Sequence, residues 1–357
     1  METSWRPGLG FVPKTSRVTA LKEPMKPHEN ARRDANPLAV RPSEAISRWW
    51  SAQGVDGEDP LNSVPLTRFR LSLLFGAILF ASGLGHLAAL WITAADWSGP
   101  LSLRKPGLFG VSAGVTVWSI AWVLTQLVPH RGDRWFARLM SGGLLLEVGL
   151  ITLQQWRGVP SHFNHATTLD AQIEAIMLGL ILLVTAGVAW LCWRSRWLRP
   201  MADSLALAIR AGLWFLLVSC GLGLLTTVAG EVNLANGRPP EVWGRAGVLK
   251  YPHGAALHAI QTLPVLHWLL QRLRVAYSAS ILRAAVVGQA LFLVHACGQT
   301  LLGRARTDID GWSVAGLAVV GSLFLLGIGI RKTVPADRSF PLRSPLDESG
   351  DGRPDAN

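Results

Sequence analysis

An all-α, polytopic membrane protein with about eight transmembrane helices is the fold class this sequence predicts, and three observations carry that expectation. Half of the 357 residues are hydrophobic and only 16% are charged, against about 25% charged in typical soluble domains. The apolar residues gather into runs near the roughly 20 residues that cross a bilayer. Glycine, proline and charged residues punctuate those runs and mark where each ends.

Taken in order, residues 1–67 hold eight of the 21 prolines and no sustained apolar period, which predicts a disordered cytoplasmic tail. No apolar h-region opens it, so it does not read as a cleaved signal peptide. Within the tail, Ser43 to Trp50 reads either as a short surface helix with a capping serine and a tryptophan pair, or as plain linker. A transmembrane domain over 68–331 follows, with eight spans at 70–93, 107–128, 136–155, 172–193, 205–230, 253–271, 279–301 and 312–330. Residues 332–357 turn polar again and predict a second disordered cytoplasmic tail.

Arginines set the orientation. With the N-terminus inside, the short inner loops carry Arg131, Arg134 and Arg138, then Arg194, Arg196 and Arg199, then Arg272 and Arg274, in keeping with the positive-inside rule. Both termini are therefore expected in the cytoplasm. The formal charge of +11 is scattered between spans and in the tails. No basic patch with interleaved aromatics appears, so the expected partner is the lipid bilayer and not nucleic acid. Cys192, Cys220 and Cys297 lie in apolar spans without CxxC spacing and read as packing residues. A faint repeat pairs Ser82–Leu90 with Cys220–Val228, and Lys105-Pro106 with Lys250-Tyr251-Pro252, as a four-plus-four duplication would.

The chemistry concentrates in the polar residues of the spans. By depth, His86, His253, His258 and His295 fall toward the outer face, with His162 and His165 in the loop between spans three and four. A short inner loop makes spans six and seven antiparallel neighbours, which puts His258 and His295 at similar depth on facing helices. Gln261 follows His258 by three residues and Gln299 follows His295 by four, spacings that share a helix face. Pro264 is expected to free a backbone carbonyl and kink span six toward a cavity.

Two neutral imidazoles on facing helices suit axial ligation of haem iron, and histidines with a carboxylate suit a transition metal. On that basis haem b or a transition metal is the expected cofactor. His258 and His295 are the first candidates as cofactor and metal ligands, and His86 and His253 are the reserves. Glu147, Gln261, Gln299, His162, Asn164 and Glu174 are expected to orient ligands or move protons. Singly, each intramembrane histidine also reads as an interhelical hydrogen-bonding residue. The loop Arg157–Asn164, with Asp170 and Glu174 after it, is expected to fold over the outer mouth as a lid.

Lys105–Gly110, the loop Arg157–Asn164 and the segment HGAALHAIQTLPVL from His253 resemble a family of bacterial multi-pass inner-membrane proteins that carries no assigned activity. The resemblance covers the spans and neither tail, and it implies residence in a bacterial inner membrane. In outline, eight helices with outer-side histidines are also similar to haem A synthase, an analogy of architecture. Three functions compete: a redox protein binding haem or metal, a proton-coupled or small-solute transporter in which Glu147 and the histidines titrate, and a non-catalytic scaffold. No nucleotide, phosphate or acyl-transfer motif marks an enzyme.

Overall fold

In lipid every backbone polar group must be satisfied within the chain, and the apolar runs accordingly become helices. The computed structural model describes residues 64–322 apart from 98, 100, 276–277, 309, 312, 315 and 320. Both expected tails beyond that range, and the Ser43–Trp50 segment, lie outside the described residues. A 3-10 turn, Leu66–Phe69, leads into α1, Arg70–Ile92. Then come α2, Arg104–Gln126, α3, Asp133–Trp156, and α4, Thr168–Arg194. A second 3-10 turn, Ser195–Trp197, precedes the long α5, Asp203–Ala235. A two-residue hairpin pairs β1, Val242–Trp243, with β2, Gly247–Val248, antiparallel. It is followed by α6, Lys250–Leu257, α7, Ala259–Arg272, and α8, Ser278–Leu301. The residues described between 311 and 322 are helical as well.

Six of these helices, α1 to α5 and α8, are long and apolar enough to cross a membrane, as a multi-pass membrane protein requires. Their outer faces agree: Leu225 and Val228 are 60% and 61% exposed, with Leu74, Ile78, Leu182 and Val294 also open. Such surfaces are stable against acyl chains and unstable against water. The sixth predicted span departs from expectation, because it is two helices with His258 at the break. Pro264 lies inside α7, six residues beyond the break.

Helix packing uses small residues where backbones touch. On α1 a Cβ at Gly83 would lie 2.4 Å from Val111 N, and on α2 one at Gly110 would lie 2.8 Å from Gly83 Cα. Close approach of this kind gives membrane helices their van der Waals contact without a hydrophobic driving force. Beyond that pair, α2 packs on α3 and α7, α3 on α4, α4 on α5, and α5 on α6 and α7. The main apolar core between them is built from Val117, Ile120, Leu124, Leu144, Val184, Leu213 and Ile260, among others.

The end of the bundle formed by the α2–α3 and α4–α5 connections is closed by a buried ion pair. Arg194 donates to Asp133 and to the Val128 carbonyl, and its guanidinium lies over the Trp190 ring at 4.7 Å. Val128 N donates to Trp197 O at 3.1 Å and Arg199 N to Gln126 O at 2.9 Å, joining the two connections edge to edge. The opposite end carries the polar groups.

Candidate functional site

The α3–α4 connection is built around two carboxylates. Asp170, buried in the first turn of α4, accepts from Gln154 Nε2 at 3.0 Å, Arg157 Nη1 at 2.7 Å and Thr167 Oγ1 at 2.7 Å. Thr167 in turn caps α4 by accepting from Asp170 N. One turn on, Glu174 accepts from Phe163 N at 2.6 Å and Asn164 N at 3.0 Å. Asn164 closes the turn itself, donating from Nδ2 to Pro160 O at 3.1 Å. Phe163 holds a left-handed φ of 58°, which the two Glu174 bonds and the packing of its ring over-determine.

Held this way, residues 157–167 lie across the end of the bundle. The His162 ring faces Phe109 of α2 with centroids 6.2 Å apart, and Phe163 packs against Gly230 of α5. Ser161 Oγ meets His162 Nδ1 at 2.9 Å. Burial of the imidazole, with the charges of Lys105 and Lys250 near it, pushes its pKa down to about 3, so His162 is a neutral hydrogen-bonding group at physiological pH. Lys250 is paired with Glu241. Lys105, at the start of α2, makes no ion pair among the described residues. The two lysines of the repeated Lys-Pro and Lys-Tyr-Pro sequences thus come to the same end of the bundle and act on the same ring.

The histidines predicted as ligands divide among separate surroundings. His258, at the helix break, meets Ser112 Oγ with Nε2 at 3.4 Å and Gln261 Oε1 with Nδ1 at 3.3 Å. Gln261 Nε2 is buried without a hydrogen-bond partner. Ser112 stands seven residues into α2 from Lys105, about 10 Å below it. Five residues before the break, His253 Nδ1 donates to Ser219 O at 2.8 Å, and Ser219 Oγ donates back to His253 O at 2.9 Å. His86 Nδ1 donates to Ser82 O at 2.8 Å and its ring lies 6.0 Å from Trp156, so it serves α1 apart from the others.

The expectation that His258 and His295 share a depth is corrected by the register of α8. Thr300 Oγ1 donates to Val248 O, the Phe292 ring meets Tyr251, and Gln289 Nε2 donates to Ala255 O at 2.6 Å. These contacts run antiparallel and set His258 opposite the neighbourhood of Val286. His295 then stands about 13 Å farther along the axis, and His258 Nε2 is turned toward α2. Gln299, expected to orient His295, instead donates to Asp308 O at 3.0 Å and Ser313 Oγ at 2.9 Å.

Glu147 is buried in α3 and its Oε2 has no hydrogen-bond partner. It lies between Leu144 of the main core and Ile151 of a second apolar cluster with Ile173 and Met177. The contact of Gln155 with Leu101 O aligns α3 against α2 and brings Glu147 to about the level of Ser112. Ser112, His258 and Gln261 make a polar layer roughly two turns in from the His162 end, with the apolar core beyond it, and Glu147 stands at a similar depth on α3.

Sequence reasoning missed His165 and Glu231. His165 Nε2 lies 3.2 Å from Glu174 Oε2 and 3.7 Å from Glu231 Oε1. The signal available was Gly230 beside Glu231 near the end of an apolar span, a notch next to a carboxylate. Comparison of the chain with known protein families, curated proteins and solved structures returns no match.

Proposed function

We propose that the chain is a membrane transporter of a small solute, bound at the break between α6 and α7. The observation that carries this is the interruption of the sixth span at His258, where the imidazole meets Ser112 and Gln261 inside the bundle. Broken helices at membrane depth persist where the freed polar groups line a cavity or hold a ligand. The unpartnered Gln261 Nε2 and Glu147 Oε2 cost free energy in an empty site, a cost without use in a passive scaffold. Lys105 and Lys250 at the mouth favour an anionic solute.

On this reading the His162 end faces outward and the arginine-rich end faces the cytoplasm. Both termini are then cytoplasmic. The resemblance noted above supports a bacterial inner membrane as its location. The two lysines at one mouth support a four-plus-four duplication. Ligation of haem b, or of a transition metal, by His258 and His295 together requires the two helices to shift by about two turns against each other, so that reading is the weaker one.

Uptake by proteoliposomes tests the proposal, with labelled acetate, succinate, alanine and choline as probes spanning negative, neutral and positive charge. Saturable uptake of a carboxylate that is lost in His258→Ala and kept in His86→Ala is the expected result. Absence of uptake, with a Soret band in the purified protein that disappears in the His258 or His295 variant, overturns transport in favour of haem.

A further inference from the structure

Phe163 enters a notch on α5 that exists because residue 230 is glycine; a Cβ there would lie 2.3 Å from Phe163 Cζ. This docking carries His165 across to Glu231. Three segments thereby meet: the loop supplies an imidazole, the start of α4 supplies Glu174 and the end of α5 supplies Glu231. Their nearest ligand atoms all lie within 4.8 Å of one another.

The spacing suits a metal ion. Donors bound tetrahedrally to zinc at 2.0–2.1 Å stand about 3.4 Å apart, and His165 Nε2 lies 3.2 Å and 3.7 Å from the two carboxylates. The donor set, one imidazole and two carboxylates, belongs to borderline divalent metals. Neither Glu174 nor Glu231 has a lysine or arginine ion-pair partner among the described residues, so two carboxylates converge with only the imidazole between them. The orientation of Glu174 is fixed from behind by the Phe163 and Asn164 amides, as supporting bonds fix metal-ligating carboxylates. The site is also within reach of water. His165 is about half exposed, and α5, with 33 residues, is about 50 Å long against a hydrocarbon layer of about 30 Å.

We infer that His165, Glu174 and Glu231 form a binding site for a divalent transition-metal ion, open to the aqueous phase, that fastens residues 157–167 to α5. Water completes the coordination.

The full chain, purified without a histidine tag, reconstituted in nanodiscs and stripped with chelator, is titrated with Zn2+ alone. Bound metal is counted by elemental analysis and by calorimetry. One ion per chain is expected, with affinity at least about ten-fold weaker in His165→Ala and in Glu231→Gln. Zinc is also expected to slow proteolysis of the 157–167 loop in the wild type and not in those variants. Glu231→Gln keeps the side-chain size at a partly exposed position, so it separates metal loss from misfolding. Binding that is unchanged in both variants identifies an adventitious ion elsewhere and overturns the inference. Loop protection that responds to acid and not to zinc assigns the cluster to a protonated His165 bridging two carboxylates, and overturns it equally.

Discussion

At one end of the bundle Arg194 and Asp133 are 7% and 2% exposed and meet each other beneath the α2–α3 and α4–α5 connections. At the other end Lys250 and Glu241 meet while 37% and 48% exposed, and the nearby loop hangs from the carboxylates of Asp170 and Glu174. The first end has an apolar core directly behind it; the second has Ser112, His258 and Gln261. A buried pair with hydrogen bonds to the backbone has one geometry of low energy, whereas a solvated pair has many. Under the transport proposal, the contrast fits closure at the Arg194 end and adjustable access at the His162 end.

Loss of the Arg194 guanidinium is expected to cost the fold most. Arg194→Ala leaves Asp133 buried and takes a donor from the Val128 carbonyl. Removing one member of a buried pair costs about 3–5 kcal/mol, so a large fall in the thermal midpoint in detergent is expected. A double change, Arg194→Leu with Asp133→Leu, removes both charges and is expected to recover much of that loss. Equal loss in the single and double variants would show that the ends of α3 and α4 are held by something other than the charge pair.

A smaller and pH-dependent effect belongs to His162. Its folded-state pKa is pushed down to about 3 by burial and by the charges of Lys105 and Lys250, while an unfolded histidine titrates near 6.5. Above about pH 6.5 the ring is neutral in both states and pH has no leverage on folding through it. As pH falls from there toward 3, the unfolded chain takes up a proton that the folded chain refuses, and stability drops. Thermal midpoints of the wild type and His162→Gln between pH 4 and 7.5 check this. The variant is expected to have the flatter acid limb; parallel curves would mean that His162 is accessible to protons and that the loop does not seal it.

Much of the fold was legible because its signal is local. The bounds of α1, α3, α4 and α8 follow from run length and from the Gly, Pro and charged residues between runs, and lipid leaves helix as the form such runs take. The break at His258 was not legible, since proline marked position 264 and the interruption arises where α6 and α7 pack against Ser112 and α8. The Arg194–Asp133 pair was hidden for another reason: an arginine at a span end reads as a topology marker, and only tertiary structure shows it turned inward. The site was legible in part. His162, Asn164 and Glu174 were named from the density of polar groups in and just after one loop, and the structure bonds Asn164 to Glu174 while His162 turns to Ser161 and Phe109. His165 with Glu231 depends on Phe163 seating at Gly230, a contact between distant segments of which the sequence shows only the glycine beside the carboxylate.

On the exposed side, Lys250 is expected to matter least. Lys250→Ala removes the partner of Glu241, whose carboxylate stays charged: burial alone would raise its pKa, and Lys250, Lys105 and Arg104 together hold it below the usual carboxylate range. Because both side chains of the pair are more than a third exposed, water and salt screen the interaction, and the expected loss is below about 1 kcal/mol. It should shrink further between 50 and 500 mM salt, while the Arg194→Ala loss should not, since the Debye length acts on solvated charges and hardly on buried ones. Chemical denaturation of both variants at the two salt concentrations makes the measurement. A Lys250→Ala loss as large and as salt-independent as that of Arg194→Ala would make the His162 end a locked closure too, and access to His258 would then have to come from elsewhere in the bundle.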